Sequence, residues 1–247
     1  MSTKRAAVIL AAGKGKRMKS DLAKVLHPIN GRPMIRVLLD ELSKLKFDKT
    51  ILVIGHQGEE IQKELADSAV EFVWQREQLG TGHAVQMAAE ILSDFDGTTL
   101  VALGDVPFLS AATLENLFEI HQQSESAATC LSADFEDPSG YGRIVRIKDT
   151  DRLEAIVEHK EASPEILAIK EINSGTFCFD NQQLFKWLKE VKSDNAQSEY
   201  YLTDVIKLMH DNGLKVSVVK AENPDEVRGI NSSEQLEELE QKFRNKP

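Results

Sequence analysis

Positive charge crowds one short loop. Lys14, Lys16 and Arg17 follow the apolar run Ala6 to Ala11, Gly13 and Gly15 punctuate the turn, and Lys24 comes a few residues later. In a chain with a formal net charge of −10, that concentration calls for a polyanionic ligand, and the loop has the features of a triphosphate cradle. Backbone N–H groups of a glycine-rich turn can converge on phosphate oxygens, because glycine permits close approach and positive φ. Arg17 offers forked donors to an outer phosphate, and Lys24 a compact point charge. The plain alternative is a solvated basic loop. Two rival phosphate motifs fail. No Gly-Lys-Ser/Thr follows at Walker A spacing. The dinucleotide fingerprint finds Gly13 and Gly15 but meets Met18 at its third glycine, and the next strand ends in Ile54-Gly55-His56, without an acid to grip a ribose.

Other residues could complete a site. The Gln75 amide at a strand end could pair with a pyrimidine edge, and Gly80-Thr81-Gly82 then opens a helix with free N–H groups. A simple strand-to-helix turn would read the same way. Gly104-Asp105-Val106-Pro107 holds one carboxylate rigidly past a buried strand. Such a group suits Mg²⁺, which keeps most of its waters and takes one or two protein oxygens plus phosphates. A turn or capping aspartate is the alternative. Gly140-Tyr141-Gly142-Arg143, Glu158, Asn173-Ser174 and Asn231 are single points, each explicable as structure alone. His27, His56, His83 and His159 lack metal-ligand spacing and read as surface or capping residues. No Ser-His-Asp or Cys-His order stands out, which fits chemistry without a protein nucleophile.

The elements that must hold these residues alternate. Strands are expected at Ala6–Ala11, Thr50–Gly55, Val70–Gln75 and Thr99–Leu103, and helices at Met34–Leu45, Gly58–Leu65 and Gly82–Leu92, with Pro33 in the first turn of its helix. Repeated β-α-β units predict a parallel sheet covered on both faces, with ligands at the carboxyl ends of its strands. Those ends carry Ala11-Ala12-Gly13, Gln75 and Gly104-Asp105. The second half is mixed. Strands are expected at 127–133, 143–148, 173–179 and 216–219, and helices at Leu184–Val191 and Tyr201–Met209. A final helix spans about 232–243, its start read as a capping box from Asn231 to Glu234. With no linker or internal repeat, residues 1–247 read as one domain of a Rossmann-like three-layer α/β/α fold, with a mixed, mostly parallel sheet and a sugar-side elaboration.

Composition narrows the class. Apolar residues make up 41% of 247, enough for a sizeable core. There is no run of about 18 apolar residues to span a membrane, and Met1 to Arg5 lead into a strand without a signal-peptide core. Cys130 and Cys178 sit in apolar contexts and read as buried thiols, so a cytoplasmic location is expected. The acidic balance leaves no basic stripe for nucleic acid.

Taken together, these segments resemble a known family. Leu10-Ala11-Ala12-Gly13-Lys14-Gly15-Lys16-Arg17-Met18, followed by Lys24-Val25-Leu26, is similar to the loop of sugar-1-phosphate nucleotidyltransferases. Gln78 to Ala84, Gly104 to Pro107, Gly140 to Ile144, Val157 to Lys160 and Glu199 to Asp204 narrow the resemblance. They look like the N-acetylglucosamine-1-phosphate uridyltransferase domain of the bacterial bifunctional enzyme of UDP-GlcNAc synthesis, over roughly residues 5–243. The resemblance implies a cytoplasmic transferase for cell-wall precursor synthesis, with UTP and GlcNAc-1-phosphate as substrates and Mg²⁺ as cofactor. Leu10, Ala11, Ala12 and Gly13 would line the nucleotide site. Arg17 would act on the outer phosphates and Lys24 near the reacting ones, as the catalytic pair. Gln75, Gly80 and Thr81 would contact uracil and ribose, with Leu103 and Gly104 also at the substrates. Gly142, Glu158 and Asn173 would contact the sugar, and Asp105 and Asn231 would hold the metal, Asn231 also touching substrate. Leu103 stands where some members carry a tyrosine, which leaves sugar preference open. So do two other readings: a transferase for another pair such as glucose-1-phosphate or dTTP, and a non-catalytic nucleotide-sugar sensor. The hexapeptide repeats of a left-handed β-helix are absent, so no acetyltransferase step is expected of these residues. The family's trimer contacts lie largely in that half, so the oligomeric state stays open, a monomer included.

Overall fold

The apolar run behind the cationic loop is buried on both sides. In the computed structural model, which describes residues 4–18, 20–148, 150 and 152–243, it forms β1 (Lys4–Ala11). Met1 to Thr3 and Pro247, which entered the reading of the chain ends, lie outside the described residues. Alternate β1 side chains serve different cores. Ala7, Ile9 and Ala11 join one cluster, and Ala6 and Val8 the other. That two-sided burial is why the run is continuous rather than alternating.

In chain order there follow β2 (Pro28–Ile29), β3 (Arg32–Pro33), α1 (Met34–Ser43), β4 (Lys49–Ile54), α2 (Gly58–Glu64), β5 (Glu71–Trp74), α3 (Thr81–Gln86), β6 (Gly97–Leu103) and α4 (Ala111–Gln123). The second half adds β7 (Ala128–Asp134), β8 (Arg143–Arg146), β9 (Leu153–Val157), α5 (Pro164–Leu167), β10 (Glu171–Asp180), α6 (Asn181–Leu188), α7 (Asp204–Asp211), β11 (Val216–Lys220) and α8 (Ser233–Phe243). The main sheet runs β11-β7-β10-β6-β1-β4-β5, with β8 and β9 attached beside β10. β1 pairs in parallel with β4 and β6, β4 with β5, and β11 with β7. β10 runs antiparallel between β6 and β7. Helices α1, α2 and α4 cover one face, and α3, α6 and α7 the other. The expected three-layer α/β architecture is the one observed.

Differences from the expected elements have local causes. α3 stops at Gln86 because the chain tightens into three-residue turns, with Met87 N–H donating to Ala84 O at 3.2 Å and Ala88 N–H to Val85 O at 3.0 Å. α6 begins earlier than expected, since the Asp180 carboxylate accepts the Gln183 N–H at 2.8 Å. α7 begins later, because Tyr200 and Leu202 are tied to the Leu79–Gly82 segment. The final capping pair is shifted by one residue: Ser232 Oγ accepts the Gln235 N–H at 3.3 Å. The reading omitted α4, although Leu114, Leu117, Phe118 and His121 form its buried face and Ser110 caps it.

Candidate active site

Two connected chambers open at the carboxyl ends of β1 and β6. The first, of about 330 Å³, is lined by Leu10, Ala11, Ala12, Gly13, Lys24, Gln75, Gly80, Thr81, Leu103 and Asp105. The second, of about 240 Å³, is lined by Arg17, Gly142, Glu158, Asn173 and Asn231. Leu10, Thr81, Leu103 and Asp105 border both, so the chambers are halves of one cleft. Of the residues expected at the site, Gly104 alone borders neither. Its N–H donates to Leu10 O at 2.9 Å, and its α-carbon faces the packed side chains of Val25 and Ile35. Gly104 is therefore a packing position beneath Asp105.

At the seam between the chambers four side chains meet. Lys24 Nζ donates to Asp105 Oδ2 and, at 2.7 Å, to Asn231 Oδ1. Arg17 Nη2 donates to the same Asn231 oxygen at 2.7 Å. The Asn231 amide nitrogen donates to Gly229 O at 3.2 Å, which turns its oxygen toward the two cations. Arg17 and Lys24 are thus paired across the cleft, while Lys14 stays exposed. Gly15 makes this possible: it sits at φ +56°, and a Cβ there would lie 2.7 Å from Lys24 Cβ. Ile230 N–H donates to Asp105 O at 2.9 Å, holding the two oxygen-bearing residues in register across more than a hundred residues of chain. Two hard oxygens that already converge on one ammonium fit a small divalent cation needing few protein ligands. Among the described residues no group of three or more His, Cys, Asp and Glu side chains gathers as a metal cage.

The first chamber is shaped largely by small and apolar residues. Gln75 is buried, and its Nε2 donates to Gly80 O at 3.0 Å and meets His83 Nδ1 at 3.0 Å. An edge-on base contact would fall to its Oε1. His83, read as a surface or capping residue, is instead a brace for this amide; no sequence spacing announced it. Gly80 lies at φ +110°, and a Cβ would come within 2.6 Å of Tyr200 O. Gly82 N–H donates to Tyr200 O at 2.7 Å, and Thr81 Oγ1 accepts from Leu202 N–H at 3.0 Å. The expected free helix N–H at Gly82 is therefore already used, and the turn is glycine-rich because a distant strap crosses it.

The second chamber is lined by side chains from far-separated segments. Glu158 accepts from Thr203 Oγ1 at 2.9 Å. Burial raises its carboxyl above the usual range against the pull of that bond, with Glu199 and Glu161 adding repulsion. Asn173 lies at a register shift where β10 passes β7. Its Oδ1 accepts from Gly175 N–H at 2.9 Å and from the Cys130 thiol at 3.4 Å, leaving Nδ2 as the donor for a ligand. Gly142 O accepts the Asn173 N–H at 2.9 Å, which joins the glycine turn to the bulge. Thr203 and Tyr141, absent from the expected site, both border this chamber. Asp204, next to Thr203 and facing Glu158, Asp194 and Glu161, is pushed up to about 6, chiefly by burial.

Comparison with known proteins bears on this cleft. Residues 7–190 match the family described as the MobA-like NTP transferase domain. The bifunctional protein GlmU of Shouchella clausii is 49% identical over 240 residues, covering 97% of this chain and 52% of that protein. The bifunctional protein GlmU of Bacillus mycoides is 50% identical over 236 residues, covering 96% and 51%. The chain thus spans about half the length of these curated relatives. The crystal structure of HddC from Yersinia pseudotuberculosis, complexed with GMP-PN, superposes with a TM-score of 0.70 at 20% identity, over 96% of this chain and 99% of that one. That likeness concerns the fold.

Proposed function

The chain belongs to the MobA-like NTP transferase family, and on that premise we propose that it transfers UMP from UTP to N-acetylglucosamine-1-phosphate, giving UDP-GlcNAc and pyrophosphate. The observation that carries this reading is the seam itself. Arg17, Lys24, Asp105 and Asn231 converge where the two chambers meet. Half-identical relatives named bifunctional protein GlmU support the choice of sugar and nucleotide.

In this reading the nucleotide lies along Leu10 to Gly13, with uracil near Gln75, Gly80 and Thr81. The sugar phosphate enters beside Gly142, Glu158 and Asn173. Its attacking oxygen is already ionised at neutral pH, so the α-phosphorus can be attacked in line without a protein base. The obstacle is repulsion between two anions, and the chain's answer is positioning and charge. Arg17 binds the outer phosphates, which leave as pyrophosphate, and Lys24 neutralises charge near the reacting phosphorus. Asp105 and Asn231 would hold Mg²⁺, which would supply Lewis-acid neutralisation of phosphate charge when bound. Glu158 and Asn173 Nδ2 fix the sugar's orientation. The substrates are soluble small molecules, no described helix is long and apolar enough to cross a membrane, and Cys130 and Cys178 are buried free thiols. These fit a cytoplasmic role.

Leu103 favours a second reading, a different sugar phosphate. It borders both chambers and has no polar atom to offer. A pyrophosphate-release panel over sugar-1-phosphates and nucleotides, with and without Mg²⁺, tests both. The expected result is preference for UTP with GlcNAc-1-phosphate and dependence on the metal. Preference for another pair moves the reading to that pair, and release without any sugar phosphate overturns it.

A further inference from the structure

One contact joins the sugar-side turn to the segment that carries Asn231. The Tyr141 hydroxyl accepts the Gly229 N–H at 3.3 Å. Tyr141 sits between Gly140 and Gly142, in a turn closed by its own N–H donating to Pro138 O at 3.2 Å. Its ring meets Phe135 edge-on, with centroids 5.0 Å apart, and the buried Arg143 donates to its carbonyl from below. The phenol is therefore held by Phe135 and Gly229, and the backbone that carries it by Pro138 and Arg143. Tyr141 borders the second chamber together with Arg17, Asp105 and Asn231, so it lies beside the seam. Gly229 is the residue whose carbonyl orients the Asn231 amide, and its α-carbon faces Asp105 Oδ2. Displacement of the turn thus reaches the two cation-facing oxygens through one hydrogen bond and one peptide.

Resting on the reading of the site given above, we propose that Tyr141 is a positioning residue that couples occupancy of the sugar-side turn to the placement of Asn231 and Asp105. A sugar phosphate seated against Gly142 and Glu158 fixes the turn, and the Tyr141 hydroxyl carries that order to Gly229. The divalent ion then meets ligands already set. Binding at one end lowers the cost of binding at the other, and the coupling is reciprocal. The phenol accepts the Gly229 N–H and keeps its own hydrogen as a donor into the cleft.

The test uses Mn²⁺ as the probe, counted by electron paramagnetic resonance on the full chain. The nucleotide is a UTP analogue with a methylene bridge between the α- and β-phosphorus, which cannot be cleaved there. Mn²⁺ affinity is measured with and without GlcNAc-1-phosphate, in the wild type and in Tyr141→Phe, whose ring packing is retained and whose melting curve is recorded alongside. In the wild type the sugar phosphate should tighten Mn²⁺ by at least about fivefold, the low end of ordinary coupling. In Tyr141→Phe that ratio should fall to within about twofold of unity, as expected for loss of one hydrogen bond. A merely structural tyrosine would weaken Mn²⁺ equally in both conditions and leave the ratio intact, and that result overturns the proposal. A wild type showing no coupling overturns it too, while its turnover in the substrate panel would leave the site reading standing. A wild type that turns over no pair in the panel overturns that reading, and the coupling with it.

Discussion

The two chambers of the cleft are built from opposite materials. The nucleotide side is lined largely by small and apolar residues at strand ends, Leu10 to Gly13 and Leu103 among them, with Lys24, Asp105 and Glu199 as its charged members. The sugar side is side chains from segments far apart in sequence, with Arg17, Asp105 and Glu158 as its charged lining and the acids Glu161 and Asp204 acting on Glu158 from behind. Phosphates demand positive charge and amide donors that barely move. Sugar hydroxyls demand acceptors whose direction is set. The contrast teaches that the cleft separates its two tasks by building material, small residues at strand ends on one side and far-drawn side chains on the other, and that the seam at Lys24 and Asp105 is where the two meet.

The largest expected effect comes from breaking that seam. Lys24→Ala and Asp105→Ala should each lower the rate of pyrophosphate release by about 10²–10³-fold, the loss typical of removing one preorganised electrostatic group. The fall should lie mainly in kcat, measured with both substrates saturating. If either variant turns over like the wild type, the seam is a structural ion pair, and the meeting of the two chambers there has no catalytic content.

Glu158→Gln sharpens the other side. The carboxylate accepts from Thr203 and faces the chamber, and a hydrogen bond to a charged group contributes about 1.5–3 kcal/mol. KM for the sugar phosphate should rise about 10–100-fold while KM for UTP stays within a small factor. Because the Glu158 carboxyl is raised, it takes up a proton sooner than an exposed glutamate as pH falls. Sugar-phosphate KM in the wild type should therefore climb on mild acidification, and the variant should lose that dependence. An equal rise in both KM values would show that the chambers are not separable.

This asymmetry also explains what the sequence made legible. Leu10 to Gly13 and Asp105 could be placed because a strand and its turn carry their own pattern, and neighbouring strand ends converge by topology alone. Gly80 stood out for its residue type, yet its physical reason, the Tyr200 strap, lies 120 residues away and left no local mark. His83 likewise showed nothing in its spacing, since its function as a brace depends on how the turn after β5 folds the Gln75 amide back onto α3. Asn231 was singled out, but its capping reading was displaced by one residue. Its side chain is drawn to Lys24 and Arg17, so Ser232 caps α8 instead. Tyr141 and Thr203 act through hydroxyls whose partners, Gly229 and Glu158, are distant in the chain.

The smallest expected effect tests whether the acidic character of the sugar side is a cost. Asp204 heads α7, where a carboxylate would ordinarily be favoured by the helix terminus. Yet its pKa goes from the ordinary 3.8 up to about 6, through burial first and then repulsion from Glu158, Asp194 and Glu161. A raised carboxyl binds its proton more tightly in the folded state than in the unfolded one. Below pH 4 both states are protonated and nothing is lost. Between about 4 and 6 the unfolded chain has released a proton that the folded chain keeps, so stability falls as pH rises, and above about 6 the full cost is present. Asp204→Asn removes the titration. Half-exposure screens the effect, so the variant should gain only about 1 kcal/mol over the wild type at pH 7.5 and nothing at pH 4, as read from urea midpoints. A gain that is equal at both pH values would assign it to packing or capping. A loss at pH 7.5 would mean that the helix terminus outweighs the acids around it, and the sugar side would then carry its negative charge without strain.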